Sequence, residues 1–172
     1  YSSSMMGAST ETVVKQHTMI YSWLVAQYEK LVLPRFIVHD AEAKAVSAEG
    51  YFTGNVGGGT RIVSGYKKMI DIVREEYHKD QYNIYVFQGT DGDDWDTEGE
   101  EAILAIKEIL GFANRMGATV VKSSWIKGGE SDFEKYINGS GVKEEKNFRI
   151  YVMPNGNPSE EDSVEAIKAL IS

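Results

Sequence analysis

Two alternate serines, a threonine behind a run of glycines and an aspartate at the end of an apolar run are the residues best suited to chemistry. Ser2 and Ser4 stand in "YSSSM", where their spacing lets both hydroxyls leave a tight loop on the same side. Thr60 follows Gly57, Gly58 and Gly59 in "GGGTRI", and Asp91 closes "NIYVFQGTD". Hydroxyl and carboxylate oxygens are hard ligands. They suit Mg²⁺ or Mn²⁺ in an octahedral site completed by water. The glycines carry no Cβ, so the backbone can pass close to such an ion and aim the Thr60 hydroxyl at it.

The elements that must hold these residues are legible as hydrophobic periods. "STETVVKQHTMIYSWLVAQYEKLVL" is helical, capped by Ser9 or Thr10 and stopped by Pro34. "RFIVHD" and "AEAKAVSA" form a hairpin of short strands, and "GYFTGNVGGGTR" is a glycine-rich loop. "IVSGYKKMIDIVREEYH" is a second helix. "NIYVFQGT" has the near-continuous apolar character of a strand buried on both faces. A third helix spans "EEAILAIKEILGFANRMG", with Gly117 as its C-terminal cap, and "ATVVKSSW" is the next strand. Ser131 opens the short helix "SDFEKYING", "NFRIYVM" is a strand, and "SEEDSVEAIKALIS" closes the chain as a helix.

Alternating strands and helices predict an α/β fold over residues 1–172 as one domain. It would be a doubly wound, mostly parallel sheet with helices on both faces and one antiparallel edge strand. Ligands of such sheets sit beyond the carboxyl ends of the strands. The opening serines, the "GGGT" loop and the acidic loop "DGDDWDTEGE" would all lie there. A doubly wound sheet also needs a strand before its first helix. The serines occupy the place of the loop after that strand, so the chain reads as N-terminally incomplete.

Bulk properties narrow the function classes. A net charge of −8 and a pI near 4.9 argue against nucleic-acid and anionic-membrane binding, which need basic patches. The acidity suits a cation or a basic partner instead. The absence of cysteine excludes disulfides, thiolate metal sites and cysteine nucleophiles, and fits a cytoplasmic protein. No apolar run reaches the roughly 18 residues of a membrane span.

With these residues in register, the chain resembles a von Willebrand factor A-type domain with its metal-ion-dependent adhesion site. That site reads Asp-x-Ser-x-Ser, then a distant Thr, then an Asp after the fourth strand. Ser2, Ser4, Thr60 and Asp91 match the last four of those ligands, and the first Asp would stand just before Tyr1. More narrowly, "FIVHDAEAKAV", "GGGTRIVSGYKKMIDIV", "YNIYVFQGTDGDDW" and "EAIKALIS" resemble the YeaH/YhbH family of bacterial proteins. The resemblance implies a cation that coordinates a carboxylate of a partner protein. It also implies a setting in stress or sporulation programmes beside a PrkA-type serine protein kinase. Gly59, Asp93 and Trp95 would rim the site, with Trp95 either anchoring a partner or packing back onto the third helix.

Other chemistries fit less well. A phosphate-binding loop would need a Gly-Lys-Ser/Thr ending that is absent here. An EF-hand fails because Trp95 takes a ligand position. A Mg²⁺-dependent phosphohydrolase at the same site is the rival reading; Asp93, Asp94 and His39 would be its candidate bases. His39 reads more simply as a structural residue. Asp93, Asp94 and Asp96 read as a solvated charge run.

Overall fold

The computed structural model describes residues 8–39, 41–53, 61–78, 80–122, 128–154 and 158–172. The chain runs α1 (Ala8–Tyr28), β1 (Phe36–His39), β2 (Ala43–Val46), α2 (Ala48–Thr53), α3 (Ile62–Glu76) and β3 (Tyr85–Thr90). It continues through α4 (Glu100–Leu110), β4 (Arg115–Val120), α5 (Asp132–Gly139), β5 (Phe148–Val152) and α6 (Glu160–Ile171). Among the described residues, β3, β4 and β5 form a parallel sheet in that order, and β1 and β2 form a separate antiparallel pair. The α/β class is as expected. The antiparallel strands lie in their own small sheet and do not edge the parallel one.

Each face of the parallel sheet has its own core. On β4, Met116, Ala118 and Val120 are fully buried and join the cluster built from α3, α4 and α5. The opposite face takes α6 and α1. A Cβ on Gly117 would stand 3.1 Å from Leu170 of α6, and one on Gly89 would stand 2.2 Å from Val13 of α1. The alternation follows from the two-residue period of a strand, and it is why β4 is buried along almost its whole length.

Two local expectations are corrected. The third helix was expected to run to a cap at Gly117, but α4 stops at Leu110 and Gly117 lies inside β4. Asn147, far along the chain, explains the stop. Its Nδ2 donates to the carbonyls of Leu110 and Ala113 at 2.9 and 2.8 Å, satisfying groups a longer helix would have bonded itself. The "GYFTG" stretch was expected to be loop. Instead Ser47 starts a short helix, its Oγ accepting from the Gly50 amide at 3.0 Å and its carbonyl from the Tyr51 amide at 2.9 Å. Burial of Tyr51 against Phe36 and Phe52, at ring separations of 5.0 and 5.3 Å, holds that turn in place.

The reading of Ser131 as the start of its helix holds: it forms a capping box with Glu134. Ser159, not singled out in the sequence, forms one with Asp162. Ser9 and Thr10, expected to cap the first helix, lie inside α1. Ser131→Ala would leave the Glu134 amide without its acceptor and is expected to cost about 1 to 2 kcal/mol, read as a fall in urea midpoint at unchanged slope.

Candidate functional site

The site grows from the carboxyl end of β3. Thr90 ends β3 and Asp91 follows it directly as the first residue of the loop; both are buried, at 0% and 1% exposure. The chain then turns on Gly92, whose φ of +93° is a conformation that disfavours any side chain. A Cβ there would also stand 2.4 Å from Ser131. Thr90 Oγ1 accepts from the Gly92 amide at 3.0 Å, and Asp91 Oδ1 accepts from the Asp93 amide at 3.3 Å. The Gly92 carbonyl accepts from the Phe133 amide at 3.0 Å, tying the turn to α5.

Asp94 and Asp96 are not a solvated charge run. Asp94 is 6% exposed, and its Oδ1 accepts from the Ile62 amide at 3.3 Å and the Asp96 amide at 3.4 Å. Its Oδ2 accepts from the Tyr136 hydroxyl at 3.2 Å. One carboxylate therefore pins the start of α3, the acidic loop and α5 together. Asp96 accepts from the amides of Gly99 and Glu101 at 3.1 and 3.2 Å and so caps α4. Asp93 is half-buried, whereas Trp95 is 65% exposed at the loop tip.

The electrostatics follow from burial. Desolvation raises the Asp94 carboxyl above its ordinary value against the pull of its amide donors, and raises Asp93 with help from the Asp132 charge. Desolvation also pushes the Tyr136 hydroxyl well up, so it stays a donor. Glu134 goes the other way. Burial opposes its charge, yet the Ser131 hydrogen bonds and Lys122, 3.1 Å away, hold its carboxyl below the usual range.

A raised folded pKa means the folded chain binds protons more readily than the unfolded one. The Asp93 contribution to stability thus increases as pH falls through its folded pKa toward 3.8 and is weakest at neutral pH. Asp93→Asn is accordingly expected to raise the melting temperature of the metal-free protein at pH 7, by about 1 to 2 °C, with no gain near pH 4. Melts at the two pH values check this.

Of the sequence-derived site residues, Asp91, Asp93 and Trp95 share one loop at the carboxyl edge of the parallel sheet. Ser2, Ser4, Gly59 and Thr60 lie outside the described residues. His39 is buried at the end of β1, with its ring against Gly65. Asp94 has both oxygens committed, which leaves it poorly placed as a general base. Among the described residues no three His, Asp or Glu side chains converge as a metal cluster. The sequence reading missed the Tyr136–Asp94 bond and the Ser131–Glu134–Lys122 group. Only the serine three residues before Glu134 signalled either of them.

These features define an α/β protein with an acidic loop set at the carboxyl edge of a parallel sheet. The chain belongs to the family described as "Protein of unknown function (DUF444)", whose model matches residues 1–152. It is similar to a UPF0229 protein of Clostridium botulinum (strain Alaska E43 / Type E3), 29% identical over 98% of the chain and 41% of that relative. A UPF0229 protein of Bacillus cereus (strain G9842) is 31% identical over 76% of the chain and 32% of its own length. The chain thus spans well under half of the curated relatives it matches. No solved structure matches it. No helix of the described residues is long and apolar enough to cross a membrane.

Proposed function

We propose that this chain is a von Willebrand factor A-like binding module. Its acidic loop helps hold a divalent cation, Mg²⁺ or Mn²⁺, that coordinates a carboxylate of a partner protein. The observation that carries the reading is Asp91, buried at the end of β3 where ligands of parallel sheets bind. Chain connectivity supports it. Thr60 is two peptide bonds from Ile62, whose amide is bonded to Asp94 three residues beyond Asp91. The serines precede α1, whose Val13 packs on Gly89, two residues before Asp91. Hard oxygens, one of them anionic, fit these ions.

Asp91, Ser2, Ser4 and Thr60 would hold the cation. With mostly neutral ligands it would stay electrophilic and favour an incoming acid. The exposed Trp95 ring would add apolar contact at the rim beside Gly59 and Asp93. A serine protein kinase system in a stress or sporulation pathway is the partner setting that the family resemblance implies.

Melting the full-length protein with and without millimolar Mg²⁺ tests the reading. A ligand at about 100 times its Kd adds roughly 2.7 kcal/mol, a shift of about 5 to 10 °C. That shift is expected in the native protein and not in Asp91→Ala. An equal shift in both would remove Asp91 from the site.

A further inference from the structure

The two capping boxes differ in their setting. That of Ser159 lies at the surface of α6, and Asp162 pairs with no cation among the described residues. That of Ser131 is buried and joined by a lysine. Glu134 Oε2 accepts from the Ser131 amide and hydroxyl, both at 2.8 Å, and stands 3.1 Å from Lys122 Nζ. Lys122 Nζ also donates to the Gly129 carbonyl at 2.8 Å. The Lys122 and Glu134 side chains are only 13% and 10% exposed. Taking two charges out of water is costly, and an apolar pair of like volume is often as stable or more so. Nor does a capping box need a buried counter-ion, since Ser159 and Asp162 form theirs without one.

What this group touches is the turn after β3. Lys122 lies two residues past Val120, the ladder partner of Thr90, so its bond to Glu134 ties α5 to the end of β4. α5 in turn clamps the neighbouring strand. A Cβ on Gly92 would stand 2.4 Å from both Cβ and Oγ of Ser131, so the Gly92 backbone lies directly on that side chain. The Gly92 carbonyl accepts from the Phe133 amide at 3.0 Å. On the other side of Asp91, the Thr90 carbonyl accepts from the Val121 amide at 2.8 Å. Asp91 thus sits between a rung of the sheet and a glycine seated on Ser131.

We infer that Glu134, with Lys122 as its counter-ion, is a positioning residue for the cation site. By locking Ser131 under Gly92 it fixes the direction in which the Asp91 carboxylate leaves β3. The inference rests on the cation reading above. Groups that orient a metal ligand from behind commonly change affinity about 10- to 100-fold when removed. The charges explain why the two residues come as a pair. An unpaired ammonium beside this turn would repel a divalent cation, and Glu134 cancels it.

Mn²⁺ uptake by the full-length protein tests this, measured well below the melting transition of every variant so that lost stability alone does not alter it. Glu134→Ala removes the box and is expected to bind Mn²⁺ at least about tenfold more weakly than the native protein. Glu134→Gln combined with Lys122→Met keeps the box, because glutamine serves in it as glutamate does, and should restore affinity to within about threefold. Asp162→Ala removes the matching box of α6, on the opposite face of the sheet, and should leave affinity unchanged. Unchanged affinity in Glu134→Ala, an equal loss in Asp162→Ala, or no recovery in the double variant would overturn the assignment. If Glu134→Ala does not fold, Ser131→Ala answers in its place. A loss of at least about threefold is expected there, and unchanged affinity would overturn the assignment. Native protein that takes up no Mn²⁺ would overturn the cation reading and this assignment with it, whereas native uptake indifferent to Glu134 would overturn the assignment alone.

Discussion

Asp94→Ala is expected to lower stability by about 3 kcal/mol, a fall in melting temperature of roughly 6 to 12 °C. The side chain is the acceptor for the Ile62 amide, the Asp96 amide and the Tyr136 hydroxyl, all at a buried junction. Removing it strands three donors. Each buried donor left unmade costs about 1 to 3 kcal/mol, partly relieved where water can enter. The carboxylate's own desolvation, which raises its pKa, offsets part of this in the native protein. Asp94→Asn keeps an acceptor oxygen and should cost less than half as much. Equal costs for the two variants, or a loss under about 0.5 kcal/mol for alanine, would show that Asp94 is not the junction described. Urea denaturation measures both.

Gly89→Ala should be as damaging for a steric reason. The added Cβ would stand 2.2 and 2.5 Å from the two methyl groups of Val13, which is fully buried. Valine is stiff at χ1 in a helix, so the methyls cannot swing aside, and α1 must lift from the sheet. The expected cost is about 3 kcal/mol. Val13→Ala alone removes packing and should cost about 1 to 3 kcal/mol. The double variant should be less destabilised than the sum of the two by more than about 1 kcal/mol, because the clash and the packing share the same atoms. Additive costs would mean that α1 does not seat on β3 as described. Gly139→Ala, in open space at the end of α5, serves as the neutral control.

The elements read well where a local signal was strong. The apolar run before Asp91 is β3, and Ser131 caps its helix. The reading failed where distant residues decide. Nothing within "GFANRMG" reveals that Asn147 will take the carbonyls of Leu110 and Ala113 and end α4 early. Nor does "GYF" announce that its aromatic rings will pack on β1 and hold a helical turn. The parallel strands were legible, but their separation from the β1–β2 pair was not, because which strands pair is decided between residues far apart in the sequence.

The candidate site was half legible for the same reason. Asp91 stood out because it directly follows a buried strand, at the edge of the sheet where ligands bind. Asp93, Asp94 and Asp96 look alike in the sequence. Their roles separate only in three dimensions, where Asp94 and Asp96 become loop-building acceptors and Asp93 stays half-buried at the rim. Tyr136 gave no signal at all, since its partner lies 42 residues earlier.

The most direct test of the account is a Mn²⁺ titration of the full-length protein followed by electron paramagnetic resonance, which reports free ion. One Mn²⁺ per chain should be taken up and then displaced by excess Mg²⁺, and Asp91→Ala should bind at least about tenfold more weakly, a loss of roughly 1.4 kcal/mol. No uptake by the native protein, or unchanged uptake by Asp91→Ala, would contradict a cation site at the carboxyl edge of β3.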